Sequence, residues 1–114
     1  MDRVIKFYRA ASGRCPVEEF LDGLDERALA KVLAVFKLIE TQEMVPAQYF
    51  KKLSGYKLWE ARVSLSGQVY RFLSFLDKGA LIILTHGFRK KSQKTPDQEI
   101  RKALEYRADW EGRS

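Results

Sequence analysis

Apolar and polar positions recur with two different periods along this chain, and the change of period divides it. Residues 3–9, RVIKFYR, alternate loosely through Val4/Ile5 and Phe7/Tyr8, which predicts a short strand. Pro16 suits the first position of a helix, where its missing N–H costs nothing. Val17, Phe20, Leu21 and Leu24 then follow the spacing of an amphipathic helix. Asp25 can cap a second helix with Glu26 in its first turn. Ala28, Leu29, Val32, Val35, Phe36 and Ile39 continue one apolar stripe, and this helix is expected to end near Gln42, before Pro46. Both stripes read as core faces of a helical hairpin packed over a sheet.

Residues 45–55 read as a loop ending in Lys51-Lys52. The period then becomes two. In KLWEARVSL, Trp59, Ala61, Val63 and Leu65 fall on one face and Glu60, Arg62 and Ser64 on the other. Ser66-Gly67 predicts a two-residue turn, QVYRFLSFLD a second strand, Lys78-Gly79 another turn and ALIILTHGF a third strand. Thr95-Pro96-Asp97-Gln98 matches a capping box. A final helix is expected from Pro96 to about Trp110, with Ile100, Ala103, Leu104 and Ala108 inward. The expected order is β-α-α-β-β-β-α. That is one α+β domain over residues 1–114, an antiparallel sheet with an N-terminal helical hairpin and a C-terminal helix.

Composition adds a partner. The net charge is +6. Between Lys51 and Lys94 ten Lys/Arg face only two acids, Glu60 and Asp77, so that span carries +8 and the remainder −2. Such a surplus favours an anionic partner, most commonly nucleic acid. There is no run of eighteen apolar residues and no apolar signal core, so a cytoplasmic protein without a membrane span is expected. One cysteine, Cys15, allows no internal disulfide, and one Cys with one His argues against structural zinc. No metal or cofactor is expected.

Register sharpens the candidate site. Two-residue turns at Ser66-Gly67 and Lys78-Gly79 would set Arg62 opposite Arg71, Arg71 opposite His86 and Val69 opposite Phe88. Arg62, Arg71 and His86, the only histidine, would then form a row across three strands. Like charges directly opposite each other are destabilising, so the row calls for an anion. Glu60 could balance it in part, and a phosphate group would do so better. Arg89, Lys90 and Lys91 follow at the end of the same strand, with the start of the last helix nearby. Phe88 and Tyr70 are candidate stacking surfaces for bases. Lys51, Lys52, Lys57, Lys90, Lys91 and Lys94, with Phe88, are the expected RNA- and phosphate-binding side chains. RNA can be cut without metal by its own 2′-OH, given cations for the charge developing on phosphorus and groups to move protons. Arg62 and Arg71 suit the first role and His86 the second.

The set L-x-E-x-R (58–62), Y-R-F (70–72), H-G-F-R-K-K (86–91) and T-P (95–96), with CPVEEFLDGL (15–24) before it, resembles the RelE/ParE toxin superfamily over nearly the whole chain, most closely its phage-type HigB-like branch. The resemblance implies the toxin of a bacterial toxin–antitoxin pair, a metal-independent, ribosome-dependent endoribonuclease that cuts mRNA. It implies an antitoxin partner, here with a helix-turn-helix DNA-binding domain. Arg71 matches the family's central-strand arginine, Arg62 its basic residue on the preceding strand, and Arg89 its basic residue after the last strand. Together with His86 these are the expected catalytic residues. RelE carries a catalytic tyrosine in its C-terminal segment, whereas Tyr106 here falls well inside the last helix. The same fold also serves ParE-type gyrase inhibitors, which are not nucleases. That function, and a catalytically silent antitoxin-binding module, stay open beside the nuclease. The oligomeric state of the free chain is not read from the sequence.

Overall fold

The computed structural model describes residues 2–90 and 94–113. Its elements are β1 (Val4–Phe7), α1 (Pro16–Asp22), α2 (Glu26–Thr41), β2 (Phe50–Leu53), β3 (Leu58–Leu65), β4 (Gln68–Asp77), β5 (Leu81–Arg89) and α3 (Asp97–Arg113). The strands form one five-stranded sheet in the order β1-β5-β4-β3-β2. Only β1, which pairs with β5, runs parallel to its neighbour.

Local chemistry sets the helix starts. Pro16 opens α1. The Asp25 carboxylate accepts the Ala28 N–H at 2.8 Å and caps α2. The stripes of α1 and α2 pack on one face of the sheet, against Ala61, Val63, Tyr70, Phe72, Ile82 and Leu84. α3 packs on the opposite face through Ile100 and Ala103, against Leu58, Leu73, Phe75 and Ile83. Further along α3, the Tyr8 hydroxyl donates to Asp109 at 2.6 Å and Trp110 Nε1 donates to Asp77 at 3.1 Å. Leu104 and Ala108, expected inward, are exposed instead, and the half-buried Tyr106 and Trp110 take that side. A helix lying on a twisted sheet buries a narrow stripe and lets larger aromatics fill its edges.

The loop expected over residues 45–55 contains a strand, β2. Only its end residues, Phe50 and Leu53, are apolar, and Lys51-Lys52 between them are exposed. That is the composition of an edge strand protected from pairing with other chains, and it carries little strand signal.

The β3–β4 register is the expected one, with Leu65 opposite Gln68 and Arg62 opposite Arg71 across a Ser66-Gly67 turn in which both residues have positive φ. The β4–β5 register differs. Asp77 pairs with Leu81, so the turn has three residues, Lys78–Ala80, and a bulge at Leu73/Ser74 leaves Thr85 as an extra residue in β5. Arg71 therefore faces Phe88, not His86, and His86 faces Leu73. Each one-residue shift alone would flip the faces; the two together restore them and slide β5 by two positions.

Candidate nucleic-acid interface

The sheet face that carries α3 extends past the start of that helix, and the polar side chains of β3, β4 and the end of β5 gather there. Alternation puts Glu60 and Arg62 of β3, Arg71 of β4 and Phe88 of β5 on this face. Lys51 of β2 lies directly opposite Glu60.

Glu60 is the centre of the cluster and is only 1% exposed. Its Oε1 accepts a hydrogen bond from Arg71 Nη1 and lies 3.6 Å from Arg62 Nε. Its Oε2 accepts from the Thr95 hydroxyl at 2.7 Å. The Thr95 hydroxyl, expected to cap α3, donates its hydrogen to Glu60 and ties the segment before that helix to the site. Arg71 is 6% exposed, and its Nε is enclosed with no hydrogen-bond partner among the described residues. Arg62 keeps about a quarter of its side chain, 26%, in solvent. Lys90 stands in the field of the same groups. Burial lowers its pKa first, the Arg71, Arg62 and Lys51 charges lower it further, and Glu60 opposes them. Lys51, Arg62, Arg71 and Lys90 thus surround a single buried carboxylate, a net positive site.

The other expected site residues divide. His86 shares the face with Arg71 but lies under α3, 4% exposed. Its Nε2 sits 3.0 Å from Glu99 Oε1 and its Nδ1 3.0 Å from the Thr85 hydroxyl, which also reaches Leu73 O at 2.9 Å. Burial draws the His86 pKa below its ordinary 6.5, with Lys102 adding to this and Glu99 opposing it. The Thr85 hydroxyl donates its one hydrogen to Leu73 O, and the sense of the His86 contacts with Thr85 and Glu99 follows from which ring nitrogen carries a hydrogen. The imidazole also packs against the rings of Phe88 and Tyr106, each at 5.8 Å. Phe88 itself is half-buried at the edge of the cluster.

Arg89 belongs to the opposite face. It pairs with Tyr70, and its guanidinium lies 5.6 Å from that ring's centre. Tyr70 is buried against Phe20 in the α1/α2 core and offers no stacking surface. Lys52 lies opposite Trp59 on that same far face. Lys57 is exposed in the β2–β3 turn, its carbonyl accepting from Arg107 at 2.8 Å. Lys94 is exposed near the start of α3, and Lys91 lies outside the described residues.

Local pattern had shown Glu60 only as a partial counter-charge, and gave no sign of Thr85 or Glu99. The available signal was a lone acid within a strand of a strongly basic segment, two positions before an arginine. Among the described residues no group of three or more His, Cys, Asp and Glu could hold a metal ion, and no helix is long and apolar enough to cross a membrane.

The family described as phage derived protein Gp49-like matches residues 19–108, from within α1 to within α3. No curated protein matches the chain.

Proposed function

The chain belongs to the phage-derived Gp49-like family, which is associated with RelE-type toxins of toxin–antitoxin pairs, and from that premise we propose that it is an endoribonuclease that cuts mRNA on the ribosome. The observation that carries this is a group of four cations, Lys51, Arg62, Arg71 and Lys90, about the one Glu60 carboxylate, with Arg62 reaching solvent. A phosphodiester supplies the charge and the acceptor oxygens that such a group lacks.

In the proposed reaction the 2′-oxygen of one nucleotide attacks the adjacent phosphorus. A 2′,3′-cyclic phosphate forms and the 5′-oxygen of the next nucleotide leaves, taking a proton from solvent to become a 5′-hydroxyl. Arg71 and Arg62 stabilise the charge that develops on the phosphoryl oxygens. Lys90, whose proton is held more loosely than that of an ordinary lysine, takes the 2′-OH proton when neutral. His86 is enclosed and engaged at both nitrogens, so its part is to hold β5 and Phe88 in place. Phe88 stacks on a neighbouring base. An antitoxin with a helix-turn-helix domain is the expected protein partner.

Expression in bacterial cells, followed by mapping of mRNA 5′ ends, tests this. New 5′ ends within translated reading frames are expected within minutes of induction. Growth arrest with intact mRNA and broken DNA would refute the nuclease and favour gyrase inhibition.

A further inference from the structure

We propose that Glu60 is a positioning residue that fixes the Arg71 guanidinium for phosphate and couples it to the start of α3, an inference that rests on the RNA-cleaving function proposed above. Both Glu60 oxygens are already engaged, one by Arg71 and Arg62, the other by Thr95. With 2% of its side chain exposed it is not placed to accept a proton from substrate. Nor does stability call for a carboxylate here, since a buried ion pair is often replaceable by apolar side chains without loss. What a carboxylate does provide is orientation. It accepts from Arg71 Nη1 and lies 3.6 Å from Arg62 Nε, so one carboxylate oxygen holds the two guanidinium groups side by side. It also offsets part of the repulsion among Lys51, Arg62, Arg71 and Lys90 while the site is empty. Through Thr95 the same carboxylate ties the segment leading into α3 to the sheet. Glu60 thus opposes RNA binding slightly, as an internal anion, and favours cleavage by setting geometry.

Those opposite effects separate this role from a purely structural one. The full chain with Glu60→Gln is compared with wild type in two assays. The first is binding of a 2′-O-methyl RNA oligonucleotide, which cannot be cut, as a function of salt. The second is cleavage of mRNA on purified ribosomes. Losing the internal anion should tighten oligonucleotide binding about three- to tenfold and steepen its salt dependence by about 0.7 in the log–log slope, the contribution of one further phosphate contact on a single strand. Cleavage should fall by about tenfold or more. Thr95→Val removes only the hydroxyl's hydrogen bond to that carboxylate and leaves every charge in place, and it decides the matter if Glu60→Gln does not fold. It should leave oligonucleotide affinity within about twofold and lower cleavage by about three- to tenfold. Normal cleavage by either folded variant overturns the role of Glu60 while leaving the nuclease standing. Binding and cleavage that fall together, in proportion to unfolded protein, also overturn it. A wild-type protein that neither binds the oligonucleotide nor cuts mRNA refutes the nuclease, and the positioning role with it.

Discussion

Arg71→Ala should cost this protein much of its stability as well as its toxicity. On a solvated face a strand arginine could be removed at little cost. Here its loss leaves Glu60 buried, with Arg62 Nε at 3.6 Å and the Thr95 hydroxyl at 2.7 Å among its remaining partners. Removing one partner of a buried ion pair typically costs about 3–5 kcal/mol, because a charge stays behind in a place that solvates it poorly. At about 2.1 cal/mol/K per residue, 114 residues have an unfolding entropy near 0.24 kcal/mol/K. The melting temperature should then fall by about 12–20 °C, out of a total stability of about 5–15 kcal/mol. Thermal unfolding followed by circular dichroism at neutral pH measures this. The double variant Glu60→Leu/Arg71→Met removes both charges and keeps much of the volume, so it should melt above the single variant and within roughly 2 kcal/mol of wild type. It should still fail to arrest growth, which separates the chemistry of Arg71 from its structural part. An Arg71→Ala protein that melts within about 3 °C of wild type, or a double variant no more stable than the single, would refute the buried pair as described.

Gly87→Ala should destabilise by about 1–3 kcal/mol, because an added Cβ would come within 2.5 Å of Phe72 and 2.9 Å of Phe20, and trimming Phe20 to Ala in the same chain should relieve part of that strain; an unchanged melting temperature would contradict the packing. Folding stability should fall as pH drops through 6.5, since His86 titrates lower in the folded chain than in the unfolded one, which takes up the proton first. His86→Gln should flatten that slope in denaturant titrations between pH 7.5 and 5.5, and a wild-type protein that gains stability over the same descent would reverse the sign.

The glycine of the H-G-F motif shows how a local pattern can be visible while its reason is not. Gly87 sits opposite Phe72, and the rings of Phe20 and Phe72 lie across its bare backbone, which lets α1 close against β5. Proximity of the motif to the cationic segment suggests chemistry; the contacts show packing. Arg89 carries a similar lesson. One position along a strand changes the face, so this residue, adjacent to Phe88 in sequence, lies over Tyr70 on the far side of the sheet.

What the sequence alone determined was whatever depends on neighbours within a few positions. Pro16 and Asp25 mark helix starts through a missing or a capped N–H. The two apolar periods separate helices from strands. Ser66-Gly67 sets the β3–β4 register, and with it the pairing of Arg62 and Arg71, because a tight turn leaves no freedom in what faces what. The excess of charge over residues 51–94 is legible as well, and it is the ground for expecting an anionic partner. Tertiary structure decided the rest. The third turn residue and the bulge at Thr85 answer to packing across β4 and β5, and together they place His86 beneath α3, away from the arginines. The lysine-bearing strand β2 exists because β3 offers it an edge. Glu60 became the centre of the site through three partners from β3, β4 and the segment before α3, two of them more than ten residues distant. A buried charge is tolerable only where such partners converge, and their convergence is a property of the fold.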